Sequence, residues 1–439
     1  MTAGSPGSTD TAVTNQGLAS PMSASQGSAN TAAASPVVYL DHASTTPVDA
    51  RVAARMAEVL NSATEFGNPA AASHDYGGIA GSLVEQARCQ VAAAVGATSS
   101  EVVWTSGATE ANNLALFGVA HYYRERGRHI VTSRTEHKAV LDPCRELQRR
   151  GWQITYLVPD RDGLIDPGQV AAALRTDTVL VSIMHVNNEI GVVQDVSAIA
   201  AICARHGSAW LHVDAAQSVG KCPVDFAGLG VDLMSLSGHK VYGPKGVGAL
   251  LVSERKDGPR GAHVQLAPLL YGGGQERALR AGTLATHQVV GMGLAFDLAA
   301  STSSVETARI ACLQRRLWQG LAAIGGVLRN GSATHSVPHL LNVSFDGVEG
   351  ESLLAAVRPH LAVSTGSACN SSLGEPSYVL RALGRSERLS ESSLRFGLGR
   401  TTTERDIDTA IAVLSQAVSR LREIAGTRPE KVPNLGTPG

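Results

Sequence analysis

The sequence predicts an α/β protein: a large domain with a mainly parallel sheet sandwiched by helices, followed by a smaller α/β domain. Three observations carry this. From residue 37 onward, short apolar runs alternate with stretches of 3.6-residue periodicity, the patterns of strands and of amphipathic helices. Several of the strand-like runs are apolar on both faces, as expected where helices cover both sides of a parallel sheet. After about residue 300 the alternation changes character and becomes richer in long helical stretches.

Taken in order, strands are expected at 37–40, 101–104, 129–132, 154–158, 179–186, 209–213 and 248–252, with a further apolar run at Val231, Leu233, Met234 and Leu236. Helices are expected at 48–60, 79–95, 109–126 and 196–206. Such strand–helix alternation builds an open sheet through right-handed crossovers. Beyond it, a long helix at 305–324 leads to strands at 340–345, 361–363 and 393–397 and helices at 351–357, 378–383 and 403–424. The division that results is a large domain over 61–300 and a small one over 301–425, with 37–60 packing against the small one. Residues 1–36 are rich in Ser, Ala, Thr and Gly with Asp10 their only charge, too little apolar surface to fold. They read as a disordered tail, and 426–439 as a second loose one.

Composition narrows the class. At 439 residues, 44% hydrophobic and 17% charged, the chain has the make-up of a globular enzyme of about two domains. A formal net charge of -1 gives no global attraction to nucleic acid or anionic membrane. No apolar run is long enough for a spanning helix. The first 36 residues have neither a secretory pattern nor, with the first arginine at Arg51, the look of a mitochondrial presequence. The six cysteines, at 89, 144, 203, 222, 312 and 369, form no metal-ligand spacing. A cytoplasmic setting is expected, with Cys89, Cys203 and Cys312 as buried fillers of helices.

Lys240 places an ammonium beside an apolar run, just before Gly243-Pro244-Lys245-Gly246. Alone it reads first as a surface lysine on a turn; covalent catalysis through a Schiff base is the chemical alternative. Ser106-Gly107-Ala108-Thr109-Glu110-Ala111 follows a strand and opens a helix, so its N–H groups can cradle a phosphate or form an ordinary N-cap. Asp214 ends a strand, where open α/β sheets place ligands. A lysine for the aldehyde, an acid for the ring nitrogen and a phosphate cradle are what pyridoxal phosphate (PLP) requires. Lys240, Asp214 and the 106–111 turn supply all three on one domain, which turns the reading of Lys240. Gln217 could serve the phenolic oxygen, Ser237 and His239 the phosphate. His137, at a strand end, could stack on the ring and move protons, or be a surface histidine.

Cys369 lies in a small polar loop, Ser364-Thr365-Gly366-Ser367-Ala368-Cys369-Asn370-Ser371-Ser372-Leu373-Gly374, where a thiol can reach outward or be inert. Arg395 interrupts a strand-like run, and a guanidinium there can grip a carboxylate or serve structure alone. Asn188, at another strand end, could contact substrate or cofactor, or serve structure alone.

Four long motifs, VSIMHVNNEIGVVQD (181–195), SLSGHKVYGPKGVG (235–248), GGGQERALRAGT (272–283) and SYVLRALG (377–384), resemble the cysteine desulfurases of the IscS/NifS-like branch. These are fold-type-I PLP enzymes, and the resemblance runs from about Tyr39 to Leu421. It implies that Lys240 holds PLP, that Ala108, Thr109, Ser237, Gly238 and His239 bind it, largely at the phosphate, and that Asp214, Gln217 and His137 meet its ring. It implies Thr283 on the neighbouring subunit's cofactor in a homodimer, and Asn188 with Arg395 on the substrate carboxylate. Lys240 would take the Cα proton of L-cysteine. Cys369 would receive the sulfur as a persulfide, leave L-alanine, and pass the sulfur to an iron–sulfur scaffold or to tRNA thiolation proteins. In the complex with such an acceptor Cys369 would be a transient iron–sulfur (2Fe-2S) cluster ligand. The chain departs from the resemblance at His42, Ser44, Asn370 and Gly374, over 256–265, and after Ala425, which touches the choice of partner. Another PLP enzyme, an aminotransferase or a selenocysteine lyase, and a non-enzymatic scaffold are the competing readings.

Overall fold

The computed structural model of the protein describes residues 37–255, 262–365 and 376–427. The two expected tails lie outside the described residues, except for Gly426 and Thr427. The elements are β1 (Val38–Tyr39), α1 (Ala50–Asn61), α2 (Asp75–Ala94), β2 (Val102–Thr105), α3 (Ala108–Tyr123), β3 (His129–Ser133), α4 (Lys138–Arg149), β4 (Gln153–Leu157), α5 (Pro167–Ala173), β5 (Thr178–Ser182), α6 (Val196–His206), β6 (Trp210–Asp214), β7 (Leu233–Ser237) and β8 (Gly248–Val252). Then follow α7 (Thr286–Ala322), β9 (Val327–Asn330), β10 (Leu340–Phe345), α8 (Gly350–Val357), β11 (Leu361–Ala362), α9 (Tyr378–Ala382), α10 (Glu387–Glu391), β12 (Ser393–Gly397) and α11 (Glu404–Ala425).

Seven strands form one sheet in the order β2-β8-β7-β6-β5-β3-β4. Alternation along each strand explains the two-faced apolar runs. Val131, Val181, Leu211 and Met234 enter one core, which α2, α6 and the first half of α7 cover. Their neighbours Ile130, Leu180, Trp210 and Leu233 enter an apolar layer on the opposite face of the sheet, under α3 and α4. The sheet is not wholly parallel: β8 runs antiparallel to both β7 and β2. The cause is the length of the β7–β8 connection, residues 238–247, too short for the helical crossover that a parallel return needs. That same short connection carries Lys240. The strand expected over 179–186 ends at Ser182, and the backbone beyond it turns into the cleft described below.

A second core gathers Leu341, Val343 and Phe345 of β10 with Ile310, Leu313 and Leu317 of α7 and Ile407, Leu414 and Val418 of α11. Its three-stranded sheet, β12-β10-β9, is antiparallel. The helix expected at 305–324 is the second half of α7, a 37-residue helix that serves the first core with Val289, Met292 and Phe296 and the second with its later turns. The stretch 37–60 also contributes to both cores: β1 pairs with β11 and Leu40 enters the second, whereas Val52 of α1 enters the first. Cys203 is buried, as expected of a filler, but Cys89 and Cys312 are exposed. Periodicity identifies a helix more surely than it assigns one residue to a face.

His212 ties three strands together. Its Nδ1 meets Ser182 Oγ at 2.8 Å and its Nε2 meets Ser235 Oγ at 3.0 Å. Burial pushes its pKa from 6.5 down to about 4. Unfolded, this histidine binds a proton near pH 6.5; folded, it binds one only near pH 4. Its contribution is therefore complete above pH 6.5 and is lost as pH falls through that window. Urea unfolding between pH 7 and 4 is expected to show a loss on the order of 3 kcal/mol from His212, and His212→Gln is expected to flatten this part of the profile.

Candidate active site

A cleft of about 520 Å³ opens at the C-terminal ends of the parallel strands. Turns after β2, β3, β5, β6 and β7 line it, together with Arg395 of β12 and Ala43–Thr45 near the start of the described chain. Of the residues singled out in the sequence, Ala108, Thr109, His137, Asn188, Asp214, Gln217, Ser237, His239, Lys240 and Arg395 all line this one cleft.

The anionic end is built by α3. Its N-cap is Gly107, with no side-chain cap bond, so the first N–H groups of a 16-residue helix are left for another acceptor. Ser106, Gly107, Ala108, Thr109, His239 and Lys245 lie around it. A Cβ at Gly248 would sit 2.6 Å from Gly107 Cα, so β8 presses backbone to backbone against this turn and admits no side chain there. His239 is held from behind, with Nδ1 at 3.1 Å from Thr45 Oγ1. Burial, then the charges of Lys240, Lys245 and Lys221, push its pKa down to about 4, so it meets an anion as a neutral ring.

The acid of the site is fixed on both oxygens. Asp214 Oδ2 accepts from Asn112 Nδ2 at 2.7 Å and Oδ1 from Ala216 N at 3.0 Å. His137 is the N-cap of α4: its Nδ1 accepts from Ala139 N at 3.1 Å, which places the ring hydrogen on Nε2. Burial, then the charge of Lys240, holds it below the usual histidine range.

Arg395 is buried at the other end of the cleft. It donates from Nη1 to Asn188 O at 2.9 Å, and from Nη2 to Asp41 Oδ1 at 3.0 Å and Ser44 Oγ at 2.7 Å. Its Nε and the neighbouring Asn188 Oδ1 are buried and have no partner among the described residues. Two orphaned polar atoms on residues bonded to one another through Nη1 and the Asn188 carbonyl, one of them a donor on a cation, mark a place for a polar, carboxylate-bearing ligand. Lys240, the held carboxylate of Asp214 and an uncapped helix N-terminus line the same cleft, and this donor set fits PLP.

Three expected residues stand elsewhere. Gly238 does not line the cleft; it shapes the Lys240 turn, with its N–H donating to Val247 O at 3.1 Å. Thr283 is exposed and away from the cleft of its own chain. Cys369 lies outside the described residues, as does the metal-ligand role expected of it. Among the described residues no group of three or more His, Cys, Asp or Glu is placed to hold a metal ion. Sequence reasoning missed Asn112, Asp41, Lys245 and Lys221. Asn112 carried a signal, lying four positions after Ala108 and so on the same face of α3. Asp41 and Lys221 carried none, since their partners are distant in the chain.

The family described as aminotransferase class-V matches residues 38–409. A cysteine desulfurase IscS of Proteus mirabilis is 54% identical over 388 residues, 88% of this chain and 94% of the relative. One from Escherichia coli is 53% identical over the same shares. Among solved structures, a NifS-like protein superposes with a TM-score of 0.80 at 33% identity, covering 88% of this chain and 100% of its own. SspA in complex with cysteine gives 0.73 at 37% identity, with 83% and 99% covered.

Proposed function

The chain belongs to the aminotransferase class-V family and is a PLP-dependent cysteine desulfurase; we propose that Lys240, Asp214, Arg395 and Cys369 carry the reaction in the cleft described. The observation behind this assignment is the convergence on one cleft of Lys240, a doubly held Asp214, the uncapped α3 terminus and the orphaned Arg395 Nε.

When bound, PLP supplies an electron sink for charge developing on the substrate carbon. Lys240 would anchor it, Asp214 would hold the ring nitrogen in its protonated form, and the α3 N–H groups would take the phosphate. Arg395 Nε and the Asn188 side chain orient L-cysteine by its carboxylate, with Asp41 and Ser44 holding the guanidinium in place. Lys240 Nζ, once freed, takes the Cα proton and returns one later. His137, neutral and with its ring hydrogen on Nε2, stands beside it as a proton carrier. The Cys369 thiolate attacks the substrate sulfur. The C–S bond breaks, its electron pair stays with the carbon skeleton, and that skeleton takes up protons and leaves as L-alanine. Incubation with L-cysteine and a thiol reductant is expected to yield alanine and sulfide in equal amounts from a yellow protein. A colourless preparation, or sulfide without alanine, would overturn the reading.

We infer further that the enzyme is a homodimer in which Thr283 serves the partner's cofactor. Its exposure supports this, as does the exposure of Tyr271 (82%) and of the Phe66–Tyr76 ring pair. Light scattering is the test. Similarity to IscS proteins supports transfer of the Cys369 sulfur to an iron–sulfur scaffold, with tRNA thiolation proteins as further acceptors and Cys369 a transient cluster ligand in the scaffold complex. Among the described residues no helix is long and apolar enough to cross a membrane; the proposed compartment is the cytoplasm.

A further inference from the structure

Lys221 has no role in the reaction as described, yet it is buried directly behind it. It lies four residues after Gln217 in the turn that follows β6, and its Nζ donates to Gln217 Oε1. Gln217 in turn donates from Nε2 to Ala43 O at 2.8 Å. The two ends of an amide are nearly equal in shape, so the partners decide which way it faces. A carbonyl can only accept, and a lysine amine in either protonation state has a hydrogen to donate. Ala43 and Lys221 therefore demand the same orientation. Gln217 lines the cleft, and its second Nε2 hydrogen is left for an acceptor there.

The surroundings place Lys221 close to Lys240. Both lysines line one small cavity of about 20 Å³, room for roughly a single water, together with His42, Tyr242, Glu306 and His339. Burial, then the charges of Lys240 and Arg395, pull the Lys221 pKa down to about 7, with Cys222 opposing. His239 and His339 in turn feel its charge. A basic side chain kept in such a place, against burial and against two like charges, calls for a function.

We propose that Lys221 is a positioning residue: it locks the Gln217 amide with its N–H toward the cleft, so that Gln217 donates to the oxygen substituent of the cofactor ring. The inference rests on the reading that this cleft holds PLP. A locked donor stabilises the ionised oxygen and so sets the pH at which the cofactor's visible band changes. Release of the amide lets it flip and present an acceptor instead.

The test uses the PLP-loaded full chain and reads the pH midpoint of its visible absorbance band. Lys221→Met and Gln217→Met are each expected to keep PLP and to move the midpoint up by about one pH unit, the effect of one hydrogen bond to a charged oxygen. The double variant is expected to move it no further than either alone, and Lys221→Arg, which keeps a donor, to recover part of the shift. Additive shifts would show that Lys221 acts through its charge on Lys240 and not through Gln217, and would overturn the proposal, as would an unmoved midpoint in Lys221→Met. Should Lys221→Met fail to fold, Lys221→Ser takes its place in the same cycle with Gln217→Met: its short side chain cannot reach the Gln217 amide, so the same non-additive upward shift is expected and an unchanged midpoint refutes the idea. Wild-type protein with no visible band would instead sink the PLP reading itself.

Discussion

Lys240→Ala is expected to leave the protein without covalently held cofactor and to lower L-cysteine turnover by about 10⁴-fold or more, since attachment and proton transfer fail together. In the β7–β8 link Gly243 N–H donates to Gly238 O and Thr46 Oγ1 donates to His239 O, so the lysine is presented on a pinned turn. Borohydride reduction followed by peptide mapping is the direct check. Wild type should carry the PLP adduct on the peptide containing Lys240, and the variant should carry none. An adduct on another lysine would refute the assignment. Lys221 is the informative rival, being the other lysine that lines the small cavity beside the cleft.

Cys369→Ser is expected to separate the two halves of the chemistry. Lys240, Asp214 and the α3 terminus, the groups proposed to hold PLP, are unchanged in the variant, which should therefore bind PLP, stay yellow and still change its spectrum on adding L-cysteine. Alanine formation should fall to background, because a hydroxyl is a far weaker nucleophile at neutral pH than a thiolate. Three of the other cysteines are poor thiolates, since burial pushes Cys144 and Cys203 up to about 12 and Cys222 up to about 11, while Cys89 and Cys312, exposed on α2 and α7, do not line the cleft. Mass spectrometry of the wild type after one turnover should place the extra sulfur on Cys369. Undiminished turnover in the variant would remove Cys369 from the mechanism.

The site was legible in the sequence wherever chemistry is tied to a strand end. Asp214, His137, Asn188 and Ser106–Thr109 each follow a strand of a sheet whose alternation could be read directly, and such ends converge on one edge. The reading failed where function depends on contacts across the chain. Asp41 reaches Arg395, Asn112 reaches Asp214, and Lys221 reaches the back of Lys240, and a linear pattern reports none of these. Gly238 is the converse case. Its neighbours Ser237 and His239 line the cleft, but a residue without a side chain, folded under the turn, shapes the site and does not face it.

By itself the sequence determined the alternating sheet, the two cores, the lysine–aspartate pairing of a PLP site and, through long motifs, the family. These are local or periodic properties, written every two or every 3.6 residues or in contiguous runs. Tertiary structure alone decided that β8 runs against its neighbours, that α7 is one helix shared by both cores, that Cys89 and Cys312 face solvent, and that the Gln217 amide is gripped from both ends. Each of these depends on which distant groups meet once the chain has packed. The energy of a hydrogen bond or an apolar contact depends on that meeting and not on the distance along the chain.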